Sequence, residues 1–150
     1  MNATELLTKD HQSVKQLFAE LESPEDRSYA LDELSEQLLV HSTIEEEIFY
    51  PAIKKTGSQE AGGKVEEALK EHEQVADMLK ELSLMDLEDR EGFAESAKRL
   101  CQAIEHHVEE EESEMFAIAK QLGTQQLDKL GQQLQQRKEE LLEQGVIVEE

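Results

Sequence analysis

Two segments, HSTIEEEIFYP (residues 41–51) and HVEEEESEMFA (residues 107–117), each carry a histidine and, four residues on, a glutamate inside a stripe of apolar side chains spaced for one face of a helix. In an α-helix, residues i and i+4 point about 40° apart and lie one turn from each other, so His41 and Glu45 share a direction, as do His107 and Glu111. The first stripe is Leu31, Leu34, Leu38, Ile48 and Ala52; the second is Phe93, Ala97, Leu100, Ile104, Met115 and Ile118. Both send that direction into a core. By the same phase, Glu46, Glu47, Glu110 and Glu112 are expected to point elsewhere.

The rest of the chain reads as helices of similar length. Asn2 and Glu5 make a capping box for a first helix to about residue 22, with Leu7, His11, Val14, Leu17, Phe18 and Leu21 on its apolar face. Ser23-Pro24-Glu25-Asp26 reads as the cap and opening proline of a second helix that reaches Lys55, its last turn bent by Pro51. The clearest loop is TGSQEAGG, 56–63. A third helix from about Lys64 to Leu84 then presents Val65, Ala68, Leu69, His72, Val75, Leu79 and Leu82, and a fourth ends at Gly123. Thr124 is expected to cap a shorter fifth helix with Leu127, Leu130, Leu134 and Leu141; the tail GVIVEE receives no assignment. The predicted fold is all-α: an antiparallel up-down-up-down four-helix bundle over residues 1–123, with a short additional C-terminal helix and tail over 124–150.

The two halves repeat one another. DHQSVKQLFAEL (10–21) aligns with EHEQVADMLKEL (71–82), and HSTIEEEIFYP with HVEEEESEMFA, so histidine falls on histidine twice and Glu45 on Glu111. Each main helix therefore sends one histidine inward, and two add a carboxylate. Burying one uncompensated carboxylate costs several kcal/mol, and two like charges close together cost more. A cation answers both, since a metal uses neutral imidazole and ionised carboxylate at once. Nitrogen and oxygen donors suit iron, manganese or zinc, and six of them exceed one tetrahedral zinc site but fit two metals sharing two carboxylates. The ferritin-like alternative requires Glu-x-x-His, which no histidine here completes, and HEQVA lacks the second histidine of a zinc-protease motif.

Composition removes other classes. A formal charge of −21 opposes binding to nucleic acid or an anionic membrane surface. The single cysteine, Cys101, leaves no intramolecular disulfide or thiolate cluster and reads as a core-edge residue. His106, about 100° around from His107, reads as a flank. No apolar run approaches the roughly 18 residues of a membrane span, and MNATELLTKDHQ has no apolar leader core, so a cytoplasmic protein is expected.

The segments DH (10–11), HSTIEEEIFYP, EH (71–72) and HVEEEESEMF resemble the hemerythrin-like, or HHE, cation-binding domain over about residues 4–122. The resemblance implies a di-iron centre bridged by oxygen or hydroxide and by two carboxylates, with manganese or zinc as possible substitutes. His11, His41, His72 and His107 would be terminal ligands and Glu45 and Glu111 the bridges, with His11 and His41 on one iron and His72 and His107 on the other. Oxygen-carrying hemerythrins have a fifth histidine; here both positions one turn from His72 are alanine, Ala68 and Ala76, which are expected to leave an open coordination position. The expected function is a non-haem di-iron protein that reacts with or senses O2, peroxide or nitric oxide, in stress response or iron handling. Iron storage or delivery without turnover, reversible oxygen carriage and a purely structural bundle are the alternatives, and no catalytic residue is assigned.

Overall fold

The computed structural model describes residues 1–145 apart from positions 24 and 87, and all of its regular structure is helical. Helix α1 spans Ala3–Glu20, α2 Arg27–Ile44, α3 Tyr50–Lys54, α4 Gln59–Leu84, α5 Arg90–Glu110, α6 Phe116–Lys120 and α7 Thr124–Gln144. Two single π-turns, Glu45–Phe49 and Glu111–Met115, join α2 to α3 and α5 to α6. Helix α1 packs on α2 and α7, and α4 packs on α5.

The starts of the helices follow local chemistry. Asn2 caps α1 in a full capping box with Glu5, and Ser58 and Asp89 accept the N–H groups of Ala61 and Gly92 at the starts of α4 and α5. Three boundaries differ from expectation. The 56–63 loop is shorter, because the Ser58 cap and the buried Ala61 carry α4 back to Gln59 and make Gly62 and Gly63 helical. Helix α2 begins at Arg27, whose Nε donates to the Leu21 carbonyl and whose guanidinium lies 4.6 Å from the Phe93 ring centroid; the expected opening proline, Pro24, lies outside the described residues. Helix α7 has 21 residues, as many as α5, so the C-terminal helix is not short. Thr124 is its first residue rather than its cap; that place belongs to Gly123, at φ +86°, a conformation that favours glycine. The tail from 146 onward lies outside the described residues.

Each of the four histidine-bearing helices α1, α2, α4 and α5, the last together with the π-turn that continues it, passes from one apolar cluster to another at its histidine. Along α1, Leu7 belongs to the first cluster and Val14 to the second, with His11 between; along α2, Leu38 lies in the second and Ile44 in the first, flanking His41. Ala68 and Val75 flank His72, and Ile104 and Met115 flank His107, in the same two clusters. The imidazoles thus form a polar layer between two apolar blocks.

The π-turns change the helical phase. Expected core residues Ile48 and Ala52 are only half-buried, while Phe49, Tyr50 and Ile53 are buried. Proline is not the cause. The second π-turn occurs at the equivalent place with Ala117 where the first half has Pro51, and both turns begin at the buried glutamate. Leu69, expected in the core, is exposed.

Helix α7 is seated closely: a Cβ at Gly131 would collide with the backbone of Met1 and Asn2. Gly131→Val is expected to lower stability by about 1–3 kcal/mol. Gly62→Ala, where a Cβ meets nothing, should raise it by roughly 0.5–1 kcal/mol. Thermal unfolding followed by circular dichroism checks both signs.

Candidate metal centre

The six inward residues expected from helical phase come together. His11, His41, Glu45 and Glu111 form one group and Glu45, His72 and His107 another, each with ligand atoms within 4.8 Å of one another. Glu45 and Glu111 are 0% and 2% exposed. The rings pair with matching geometry: His11 and His41 have centroids 4.9 Å apart at 67°, and His72 and His107 have centroids 4.7 Å apart at 70°.

Every imidazole is oriented from behind by a carboxylate. Nδ1 of His11 lies 2.8 Å from Glu112, that of His41 2.9 Å from Asp10, that of His72 2.9 Å from Glu46 and that of His107 2.7 Å from Glu71. The internal repeat is visible here. Asp10 and Glu71, which immediately precede the first histidine of each half, hold the second histidine of their own half. Glu46 and Glu112, which follow the buried glutamates, each hold the first histidine of the opposite half. Glu46 and Glu112 therefore do not point idly into solvent, and the acidic run 109–113 contributes a second structural residue besides Glu111.

An ionised carboxylate offers only lone pairs, so each Nδ1 carries the hydrogen and each neutral ring turns the Nε2 lone pair inward. His72 Nε2 and His107 Nε2 then face one another at 3.1 Å, a repulsive arrangement without a cation or proton between them. His11 Nε2, His41 Nε2, one oxygen of Glu45 and one oxygen of Glu111 are buried without a hydrogen-bond partner. His11 Nε2 lies 3.3 Å from Glu111 and His41 Nε2 3.2 Å from Glu45, yet these atoms are not aligned as hydrogen bonds. They aim past each other into shared space. Buried unsatisfied donors and acceptors are costly and rare, and this set fits metal ions bound by neutral imidazole and carboxylate.

Electrostatics agree. Burial pushes the His41 pKa down, but the charge of Glu45 and the Asp10 carboxylate that accepts from Nδ1 outweigh it and hold the ring well above 6.5. His72 behaves alike, with burial opposed by Glu45 and Glu46, and reaches about 9. His107 is raised against burial by Glu111. Burial pushes the Glu45 carboxyl up, and His41, Glu111 and His72 more than reverse this, to well below its usual range. The pocket draws positive charge, whether as protons or as metal.

Helical phase did not reveal Tyr50. Its hydroxyl donates to Glu111 at 2.7 Å, lies 3.2 Å from Glu45 and sits 3.1 Å from His72 Nε2. Burial and the two glutamates raise its pKa, so it remains a neutral O–H. In a regular α-helix the residue five beyond Glu45 points about 140° away; the i→i+5 π-turn returns it to the same side. The equivalent residue in the second half is Phe116, stacked near His11 without a hydroxyl.

Open space meets the histidines on more than one side. A cavity of about 30 Å³ touches all four histidines and is otherwise lined mainly by Val14, Leu38, Val75, Ile104 and Val108. Ala68 is buried beside His107 and Glu111 at a smaller space of about 10 Å³, and Ala76 is exposed on a groove that reaches both Leu39 and His72. His106 is an exposed flank, 3.3 Å from Glu110. Burial and Glu105 push the Cys101 thiol up to about 11, which suppresses thiolate chemistry.

A profile of the hemerythrin HHE cation binding domain matches residues 2–119. The chain is 29% identical over 147 residues to an uncharacterized protein of Mycobacterium tuberculosis, covering 94% of this chain and 88% of that one. Over 132 residues it is 26% identical to a Nostoc protein named DNA nickase; the match covers 85% of this chain but only 36% of the Nostoc protein's length. The crystal structure of a hemerythrin HHE cation binding domain-containing protein from Mycobacterium kansasii is similar with a TM-score of 0.82 at 29% identity, covering 93% of this chain and 86% of that chain. No described helix is long and apolar enough to cross a membrane. On the extent of the profile match, which includes all six inward donors and Tyr50, the chain belongs to the hemerythrin HHE cation binding domain family.

Proposed function

We propose that this chain holds two iron ions and uses them to react with or sense a small oxidant, O2, peroxide or nitric oxide, in stress response or iron handling. The observation that carries this reading is the set of four buried, unpartnered donor atoms contributed by His11, His41, Glu45 and Glu111, beside the facing lone pairs of His72 and His107. In it, His11 and His41 serve one ion, His72 and His107 the other, and Glu45 and Glu111 are shared. The alternation of apolar clusters along α1, α2, α4 and α5 supports an antiparallel up-down-up-down bundle around the centre, with residues 1–123 as its unit and α7 packed on it.

When bound, the iron pair supplies adjacent one-electron redox centres. The chain supplies the rest. Asp10, Glu46, Glu71 and Glu112 fix ring orientation and keep Nε2 free of hydrogen. Tyr50 holds a proton on its hydroxyl toward Glu111, beside the His72 half only. The apolar residues around the 30 Å³ cavity exclude bulk water and admit a molecule about the size of one water. The formal charge of −21 repels a phosphodiester backbone, which opposes a nucleic-acid substrate such as the Nostoc protein's name suggests.

Elemental analysis after aerobic iron loading should give two irons per chain; a reproducible value near zero for folded protein contradicts the reading. Glu45→Ala or Glu111→Ala is expected to abolish paired binding. Glu46→Ala or Glu112→Ala should weaken it about 10–100-fold by freeing a ring, while Glu110→Ala, whose carboxylate lies 3.3 Å from the exposed His106 instead, should leave it unchanged.

A pH dependence follows for the metal-free chain. Its raised histidines, including His72 at about 9, contribute stability that is complete below about pH 6.5 and lost as pH rises through their folded-state values. Glu45, depressed, contributes stability above about pH 4.5 that is lost on acidification. The Tm of chelator-treated protein should therefore fall between pH 6.5 and 9, and metal-loaded protein should show a much flatter profile there. A metal-free Tm that rises over this window contradicts the electrostatic account.

A further inference from the structure

Helix α7 lies beyond the family match, which ends at residue 119, yet it reaches the back of the centre. Lys138 Nζ donates to Asp10 Oδ1 at 2.6 Å, and the other oxygen of the same carboxylate, Oδ2, accepts from His41 Nδ1 at 2.9 Å. Asp10 is only 8% exposed and is thereby engaged at both oxygens. The adjacent Arg137 grips Glu47, two residues beyond Glu45 on the first π-turn, with Nε 2.8 Å and Nη2 3.3 Å from its two oxygens. Two consecutive side chains of α7 therefore fasten it to α1 and to the turn that carries Glu45.

Among the described residues the second half has no such support. Glu71, the counterpart of Asp10, holds His107, and the other basic side chain beside its carboxylate is His106, 3.6 Å away and 64% exposed. Four imidazoles that are matched in their carboxylates are unmatched one bond further out.

We propose that Lys138 is a positioning residue for the His11/His41 half of the centre, acting through Asp10 on His41, so that α7 makes the two half-sites chemically inequivalent. A carboxylate behind a ligating imidazole sets the ring's orientation and its basicity. An ammonium on that carboxylate's second oxygen fixes the rotation of the carboxylate and offsets part of its charge, so it governs how strongly His41 Nδ1–H is drawn. This inference rests on the metal reading, with Nε2 of His41 as a donor.

The test uses the full chain loaded with zinc, which is diamagnetic, and compares wild type with Lys138→Met, Lys138→Arg and Lys129→Met, the last an exposed lysine on the same helix. Imidazole ¹⁵N shifts of His41 and His107 and stepwise zinc affinity against a competing chelator are read together. Lys138→Met should move the His41 Nδ1 signal and weaken one of two binding steps about 3–10-fold, less than loss of a direct carboxylate partner. His107 and the other step should not change, Lys138→Arg should restore both readouts, and Lys129→Met should match wild type. A wild type that binds two zinc ions while Lys138→Met leaves His41 and both steps unmoved overturns the relay alone. Equal disturbance of His41, His107 and both steps assigns Lys138 a general structural role and also overturns it. A folded wild type that takes up no zinc overturns the metal reading and this inference with it.

Discussion

Two glutamates, Glu45 and Glu111, lie buried within reach of one tyrosine hydroxyl, and the core is arranged around their charge. Glu45 and Glu111 together bring two like charges into a layer between two apolar blocks. At several kcal/mol per uncompensated buried ion, such a layer would outweigh much of the roughly 5–15 kcal/mol that a domain has to spare. The four imidazoles, the Tyr50 hydroxyl and the raised histidine pKa values are different responses to that one requirement for positive charge. Metal ions meet it with the fewest unsatisfied atoms.

The internal repeat explains why the centre is so nearly symmetric. Each half contributes a carboxylate before its first histidine, a second histidine, a buried glutamate that opens a π-turn, and a further glutamate that crosses to the other half. Crossing matters energetically. Because Glu46 and Glu112 hold rings belonging to the opposite half, neither half can orient all of its imidazoles without the other, which ties assembly of the polar layer to packing of the whole core. Departures from symmetry are few and lie close to the chemistry: Tyr50 against Phe116, and Lys138 behind Asp10 against an exposed His106 behind Glu71.

Much of the site was legible in the sequence, because the information is local. The i,i+4 spacing of His41 with Glu45 and of His107 with Glu111, set in apolar stripes, fixes direction without reference to the rest of the fold. His11 and His72 gained weight from alignment of the two halves. What escaped was set by departures from helical phase or by tertiary contact. Tyr50 was hidden by a π-turn that no proline demands. Glu46 and Glu112 looked like solvent-facing members of acidic runs, since their partners lie on other helices, although their equivalent positions in the repeat were a signal that could have paired them. Lys138 is 128 residues from Asp10, and nothing in its neighbourhood marks it out. The cavity that touches all four histidines went unread because Val14, Leu38, Val75 and Ile104 look like ordinary core residues in their stripes.

Anomalous diffraction at the iron edge from crystals of the iron-loaded chain would locate the ions themselves. Two peaks are expected, one beside Nε2 of both His11 and His41 and the other beside Nε2 of His72 and His107, with Glu45 and Glu111 between them. Iron bound only at surface carboxylates such as Glu71 and Glu110, or a single peak with the facing imidazoles of the other half still in direct contact, would contradict a paired centre.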